Sequence, residues 1–188
     1  YNKDVIHDFD ENNNFKSYYL DAFDRIVAVE EHTTDFYVGL DETYNTSYSY
    51  NGADELVSIK DTKGNNFNFT YNSLGQKVQL DDPDLGLWTY GYDFVGNLIS
   101  QIDNKENEIV IGYDGLNRIT HKNTTSSAIT FAYDEAYQGT LSSISFDNFS
   151  LTYEYDDRLR VTKETLMEGN AQDGFINYET ESSFDSAN

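Results

Sequence analysis

The chain has 188 residues, of which 34 are acidic and 12 basic, so its formal net charge at pH 7 is -22. Such a charge repels phosphate backbones and anionic membrane surfaces, which argues against nucleic-acid binding. Cysteine is absent, which excludes disulfides and thiolate metal sites. No segment approaches the roughly 18 to 20 apolar residues of a membrane-spanning helix, so no membrane span is expected.

A two-residue motif recurs along the chain: an aromatic residue or leucine is followed by Asp or Asn, and most copies lie about 21 residues apart. The copies are Phe9 and Asp10, Leu20 and Asp21, Tyr50 and Asn51, Tyr71 and Asn72, Tyr92 and Asp93, Tyr113 and Asp114, Tyr133 and Asp134, Tyr155 and Asp156, and Phe184 and Asp185. Such periodicity is typical of repeat architectures, in which each unit stacks on its neighbours. These residues are therefore predicted to be structural.

The residues that lead into the motif alternate between apolar and small or polar side chains. Phe67, Phe69 and Tyr71 are one such triplet, and Ile109, Ile111 and Tyr113 are another. A period of two predicts a strand with one apolar face, on which the motif tyrosine is the last inward-facing residue. We expect these aromatic residues to pack inward against neighbours on adjacent strands.

A chain reversal is predicted directly after the motif. The Asx side chain can accept a hydrogen bond from the backbone two residues later. Four residues after the aromatic residue stand types that tolerate positive φ. These are Asn13, Asp24, Asp54, Gly75, Gly96, Asn117 and Asn188. The Tyr133 copy has its glycine two residues later than the other copies, at Gly139, which predicts a longer loop. In the Tyr155 copy the fourth position holds Leu159, which is an exception to this preference for residues that tolerate positive φ.

A second apolar strand follows each turn, and a polar reversal then returns the chain to the next motif. The predicted fold is all-β: tandem antiparallel hairpins of about 21 residues that form one elongated sheet, curled by strand twist. Residues 1–188 are interpreted as one repeat domain, a piece of a longer chain, with loop insertions at about 28–43 and 164–174. The open sheet edges make edge-to-edge self-association of this piece an expectation.

Two stretches carry a family resemblance. Residues 92–98 (Tyr-Asp-Phe-Val-Gly-Asn-Leu) and 113–119 (Tyr-Asp-Gly-Leu-Asn-Arg-Ile) resemble the Tyr-Asp-x-x-Gly-Arg-Leu motif of the YD-repeat, or Rhs-repeat, family. The arginine of that motif is matched at Arg25, Arg118 and Arg160, whereas Glu55, Gln76 and Asn97 replace it elsewhere.

The resemblance implies a segment of a β-shell that encloses or presents a C-terminal toxin domain. Family members include bacterial Rhs polymorphic toxins, the wall-associated protein A type, the C components of insecticidal toxin complexes, and animal teneurins. The acidic, cysteine-free composition is similar to that of a bacterial secreted or cell-surface member. The implied partners are the remaining repeats and the enclosed C-terminal domain of the same protein.

Catalysis, calcium binding and glycan binding are the alternatives to a scaffold. Catalysis is not expected, because His7, His32 and His121 are scattered and no G-x-S-x-G, H-E-x-x-H or P-loop pattern occurs. Calcium is an alternative at the acidic loops that contain Asp81, Asp82 and Asp84, or Asp156 and Asp157, but a solvated acidic surface is favoured and no cofactor is predicted. If Trp88 and Tyr90 lie exposed, they could contact a glycan, as in a surface adhesin.

Overall fold

The computed structural model of the chain describes residues 5–11, 14–35, 40–170 and 174–184, which form strands and turns but no helix. Sixteen strands form one open antiparallel sheet, in which the strand order follows the sequence. The all-β prediction of tandem hairpins is confirmed. No helix that could cross a membrane is present in the described residues. The strands are β1 Val5–Phe9, β2 Phe15–Leu20, β3 Ile26–Asp35, β4 Leu40–Tyr50, β5 Leu56–Lys60, β6 Asn66–Tyr71, β7 Lys77–Asp82, β8 Gly86–Tyr92, β9 Leu98–Ile102, β10 Glu108–Tyr113, β11 Ile119–Asn123, β12 Ala128–Tyr133, β13 Leu141–Phe146, β14 Phe149–Tyr155, β15 Val161–Asn170 and β16 Gly174–Glu181.

The chain divides into two compact units, Tyr1–Tyr90 and Gly91–Asn188. The first unit contains β1 to β7 and most of β8, and the second contains the strands from β9 to β16. The interpretation of residues 1–188 as one domain remains a prediction.

The strand register aligns the apolar triplets across neighbouring strands. In the first unit, Phe69 of β6 lies opposite Leu80 of β7, which in turn lies opposite Trp88 of β8. The intervening positions are polar, since Thr70 lies opposite Gln79. In the second unit a row of apolar residues lies in register across four strands: Phe131, Ile144, Leu151 and Leu166. The alternation in the sequence thus gives each unit one apolar and one polar face.

The apolar face is only half covered, which differs from the expected inward packing. Among the described residues no apolar side chain is buried, and Phe67, Phe69 and Tyr71 are each half-buried. The reason is that neighbours within one sheet shield the flanks of a side chain but not its outer end. Full burial needs a second layer, and the described strands all belong to one sheet.

The two predicted loop insertions are wrong, because both segments extend strands. Residues 28–35 belong to β3 and residues 40–43 to β4, and Ala28 to Asp35 pair with Leu40 to Ser47. Residues 164–170 likewise belong to β15, and Gly174 begins β16. The β-branched and aromatic residues in these segments favour extended backbone, so the extra residues lengthen the hairpins. Residues 36–39 and 171–173 lie outside the described part.

Candidate functional site: the motif turns

The segments that follow the repeated aromatic or leucine residues are short turns, which we call the motif turns. They comprise residues 21–25, 51–55, 72–76, 93–97, 114–118, 134–140 and 156–160. In the turn at 114–118, Asp114 Oδ1 accepts hydrogen bonds from the backbone N–H groups of Leu116 at 2.8 Å and Arg118 at 3.0 Å. The Asp114 N–H donates to the Arg118 carbonyl at 2.9 Å. The same two-residue and four-residue contacts occur at Asp21, Asn51, Asn72, Asp93 and Asp156.

Positive φ angles occur at the turn positions where the sequence predicts them. Gly75 has φ 76°, Gly96 has φ 98° and Asn117 has φ 61°. Gly139 in the longer loop has φ 92°, and Leu159, which breaks the residue rule, has φ 61°. A leucine in this region is strained, since its side chain crowds the backbone. Asp24 and Asp54 follow the rule, whereas Asn13 and Asn188 lie outside the described residues.

In each five-residue turn, the remaining polar atom of the Asx side chain pairs with the side chain four residues later. Where the Asx residue is Asp, its partner donates: Arg118 Nε lies 2.7 Å from Asp114 Oδ2. Where it is Asn, its partner accepts: the Asn72 amide donates to Gln76 Oε1 at 2.7 Å. The other described pairs are Asp10 with Asn14, Asp21 with Arg25, Asn51 with Glu55, Asp93 with Asn97, and Asp156 with Arg160.

This pairing gives a physical reason for the Tyr-Asp-x-x-Gly-Arg pattern and for the departures from it in this chain. The replacement of arginine by Glu55, Gln76 and Asn97 is visible in the sequence, whereas the pairing is not among the predictions made from it. A signal was present, because the donor or acceptor character of the later residue changes with that of the Asx residue.

The motif tyrosines connect neighbouring motif turns through their hydroxyl groups. Tyr133 donates to the carbonyl of Ile119 at 3.0 Å, and Ile119 is the residue that pairs with the preceding motif tyrosine, Tyr113. The same bond joins Tyr50 to Ile26, Tyr71 to Leu56, Tyr113 to Leu98 and Tyr155 to Leu141. Each of these five tyrosines therefore ties its own hairpin to the preceding one. Phe9, Leu20 and Phe184 have no hydroxyl for this bond.

Removal of one such hydroxyl should weaken the sheet measurably. We expect Tyr113→Phe to lower the free energy of unfolding by about 0.5 to 1.5 kcal/mol, since the bond to the Leu98 carbonyl is lost. Denaturant unfolding measures the change. Tyr153→Phe is the control, because the Tyr153 hydroxyl makes no hydrogen bond within the described residues, and equal losses in both variants would contradict the assigned role.

Arginine side chains form a second set of links between motif turns. Arg118 contacts Asp114 of its own turn and Asp134 of the next, both at 2.7 Å, and its guanidinium lies 4.3 Å from the Tyr133 ring centroid. In the first unit, Arg25 bridges Asp21 and Asp54 and lies over the Tyr50 ring, and in the second Arg160 pairs with Asp156 and lies over Phe184. Asp185, beside Phe184, lies outside the described residues.

The Arg118 bridge predicts a titration that can be measured directly. The hydrogen bond from Arg118, followed by that from the Gly139 N–H, lowers the pKa of Asp134 to about 2. Because this pKa is below that of an unfolded aspartate, the stabilisation is complete above about pH 3.9 and is lost as the pH falls through about 2.

We expect Arg118→Gln to raise the Asp134 pKa towards its ordinary value in a carboxyl NMR titration. Arg160→Gln, which disrupts a different pair, should leave it near 2. An ordinary Asp134 pKa in the unmodified protein would contradict the bridge.

Two of the reversals at the end of the hairpins opposite to the motif turns have the same bonding as the motif turns. Asp61 Oδ1 accepts from the Asn65 N–H at 2.8 Å, and Asp103 Oδ1 accepts from the Asn107 N–H at 2.9 Å. The corresponding Asn side chains donate to the second carboxylate oxygens. Sequence reasoning identified these segments as polar reversals without recognising that they repeat the motif turn.

The predicted glycan residues lie on the apolar face. Trp88 and Tyr90 are both half-buried, and Lys77 Nζ lies 4.8 Å from the Tyr90 ring centroid. The Trp88 indole nitrogen is buried and has no hydrogen-bond partner. A glycan contact at Trp88 and Tyr90 remains a prediction from residue type.

Three of the acidic residues considered for calcium, Asp82, Asp156 and Asp157, use carboxylate oxygens in contacts within the protein. Asp82 Oδ1 accepts from the N–H groups of Asp84 and Leu85, each at 2.9 Å. Asp156 pairs with Arg160, and Asp157 accepts from the Tyr137 hydroxyl at 3.0 Å. Within the described ranges, no group of three or more His, Asp or Glu side chains is placed to hold a metal ion.

Comparison with solved structures identifies chains that share this fold. A chain in the crystal structure of TcdB2-TccC3-Cdc42 matches 92% of this chain and 11% of its own length, with 16% identity and a TM-score of 0.72. TcdB2-TccC3 without its hypervariable C-terminal region matches equally, at 15% identity and TM-score 0.72. The Photorhabdus luminescens Tc holotoxin pore matches 89% of this chain and 12% of its own, at 14% identity and TM-score 0.53.

No family model matches the chain. No curated protein sequence matches it either. The chain spans about a ninth of the length of the solved chains it resembles, so the resemblance concerns one segment of those chains.

Proposed function

We propose that this chain is a wall segment of a bacterial secreted or cell-surface YD-repeat protein, and that the wall encloses or presents a C-terminal toxin domain. The observation that carries the proposal is the fold match over 92% of the chain to a TcdB2-TccC3 structure. The repeated Tyr-Asx motif supports it independently, because residues 92–98 and 113–119 resemble the Tyr-Asp-x-x-Gly-Arg-Leu motif of YD repeats.

The bonding of the motif supports a structural role for it. The Asx side chain closes the turn, the residue four positions later completes the Asx pairing, and the tyrosine hydroxyl bonds to the preceding hairpin. Each part of the motif is thus used within the sheet. Because the contacts recur from one repeat to the next, the motif suits a wall that is extended by adding repeats.

The half-covered apolar face supports the presence of an enclosed or covering partner. A sheet with one apolar face is stable when that face packs against another layer. One of the matching structures is TcdB2-TccC3 without its hypervariable C-terminal region, so that protein has a C-terminal region that the structure lacks. By analogy, we infer that the partners of this chain are further repeats and a C-terminal domain of the same polypeptide.

Limited proteolysis of the complete natural polypeptide tests the proposal. We expect the C-terminal domain to resist protease in the intact protein and to be cleaved once the repeats are unfolded by mild denaturant. The same C-terminal domain expressed alone, without denaturant, is the control and should be cleaved readily. Equal cleavage of the free and attached domains under native conditions would contradict enclosure.

A further inference from the structure

One motif turn contains the only Asn-Gly dipeptide of the chain, Asn51 followed by Gly52. Asparagine is chemically labile, because the next backbone nitrogen can attack its side-chain carbonyl carbon and expel ammonia. A glycine at the next position favours the attack, since no side chain hinders the approach. Asn72 occupies the same position of the following motif turn but precedes Ser73, so the chain provides an internal comparison.

The turn at 51–55 holds the Asn51 side chain in a state that assists this reaction. Asn51 Oδ1 accepts hydrogen bonds from the N–H groups of Ala53 at 2.9 Å and Glu55 at 3.1 Å. Two backbone donors on one carbonyl oxygen stabilise the negative charge that develops there when its carbon is attacked. Among the described residues the Gly52 N–H has no hydrogen-bond acceptor, so the attacking nitrogen is not held elsewhere.

The side chain four residues later makes the reaction unfavourable for this turn. The Asn51 amide donates to Glu55 Oε2 at 2.6 Å, so Glu55 needs a donor at position 51. Loss of the amide replaces that donor by a carboxylate oxygen, and two carboxylates then face each other. Arg25, which contacts this turn through Asp54, also pairs with Asp21 of its own turn.

Other motif turns show that the repulsion depends on Glu55. A carboxylate at the Asx position is well paired where its partner can donate, since the Asn97 amide donates to Asp93 Oδ2 at 2.9 Å. In the turn at 72–76 the Asn72 amide donates to Gln76 Oε1 at 2.7 Å, and Gln76 has an amide of its own to offer a carboxylate. Conversion of Asn72 would therefore keep a bonded pair, whereas conversion of Asn51 would not.

The Glu55 side chain also lies against the next motif turn. A Cβ added at Gly75 would lie 3.3 Å from Glu55 Oε1. Displacement of Glu55 by a new carboxylate therefore alters the contact between two hairpins of the first unit.

We propose that Asn51 is a site of spontaneous covalent modification, at which deamidation replaces the attractive pair of Asn51 and Glu55 by a repulsive one and opens the turn at 51–55. The Gly52 nitrogen bonds to Asn51 Cγ, the Cγ–Nδ2 bond breaks, and the proton of the Gly52 nitrogen leaves with the released ammonia. Water then hydrolyses either carbonyl of the succinimide to give aspartate or isoaspartate. The reaction consumes one water and needs no other reactant. This inference does not depend on the proposed function.

Incubation of the folded chain in mildly alkaline buffer, below its melting temperature, tests the modification. Peptide mapping by mass spectrometry measures the loss of each amide over time, with an unincubated sample digested in the same way as the reference. We expect Asn51 to be converted several-fold faster than Asn72. Gly52→Ser should slow the conversion of Asn51 to the rate at Asn72, and the serine is accommodated because a Cβ at Gly52 would meet no atom within 4 Å.

Aspartate variants test the consequence for the turn. We expect Asn51→Asp to lower the melting temperature, whereas Asn72→Asp, which makes the same charge change, should have a much smaller effect. Glu55→Gln combined with Asn51→Asp should recover most of the loss, because a glutamine amide can donate to the new carboxylate. Glu55→Gln alone is the control, since it copies the pair of Asn72 and Gln76.

Three results would overturn the proposal. One is an Asn51 amide that persists in the folded chain while it is converted in the chain unfolded by denaturant. Another is conversion of Asn51 and Asn72 at equal rates. The third is an Asn51→Asp variant whose melting temperature is no lower than that of Asn72→Asp.

Discussion

Gly96→Val should destabilise the second unit by about 1 to 3 kcal/mol, because a β-branched residue would have to adopt a positive φ. Gly96 has φ 98° at the fourth position after Tyr92. Asn117 fills the same position of the next turn with φ 61°, so Gly96→Asn should cost less than Gly96→Val. Thermal unfolding should show a melting temperature lower by several degrees for the valine variant.

Gly115→Ala is the control for this series. Gly115 lies in the neighbouring motif turn, and a Cβ added there would meet no atom within 4 Å. Its φ is not positive, so the substitution should leave the melting temperature nearly unchanged. An unaltered melting temperature in Gly96→Val would refute the left-handed turn.

Gly112→Ala should produce the second large effect, through a contact between two strands. Gly112 of β10 lies opposite His121 of β11, and a Cβ at Gly112 would lie 1.9 Å from His121 Cε1. The imidazole ring must therefore leave its place over the glycine, where it also lies 3.2 Å from the Thr120 hydroxyl. Overpacking of this kind costs about 1 to 3 kcal/mol.

A double-mutant cycle isolates this contact. Removal of the ring by His121→Ala should relieve most of the cost of Gly112→Ala, so that the two changes are strongly non-additive in denaturant unfolding. Additive losses would show that the ring does not occupy the space above Gly112.

The sequence predicts the parts of this fold that depend on neighbouring residues in the chain. Alternation at Phe67, Phe69 and Tyr71 requires only the two-residue period of a strand, and Gly96 or Asn117 requires only the backbone preference of a turn. Both kinds of information are local, and the register and φ angles agree with them.

Contacts between strands lie beyond a local pattern. The bond from the Tyr133 hydroxyl to the Ile119 carbonyl and the packing of His121 over Gly112 depend on which residues face each other across the sheet. Full burial of the apolar face depends on a second layer, and the two-residue period of a strand carries no information about such a layer. The predicted loops at 28–43 and 164–174 fail because an insertion in a hairpin can lengthen its strands as readily as its loop.

Electron cryo-microscopy of the complete natural polypeptide is the most direct test of the central claim that these repeats form an enclosing wall. We expect a hollow shell whose wall contains the described hairpins, with density for the C-terminal domain inside. An open repeat sheet with the C-terminal domain outside it would contradict the proposed enclosure.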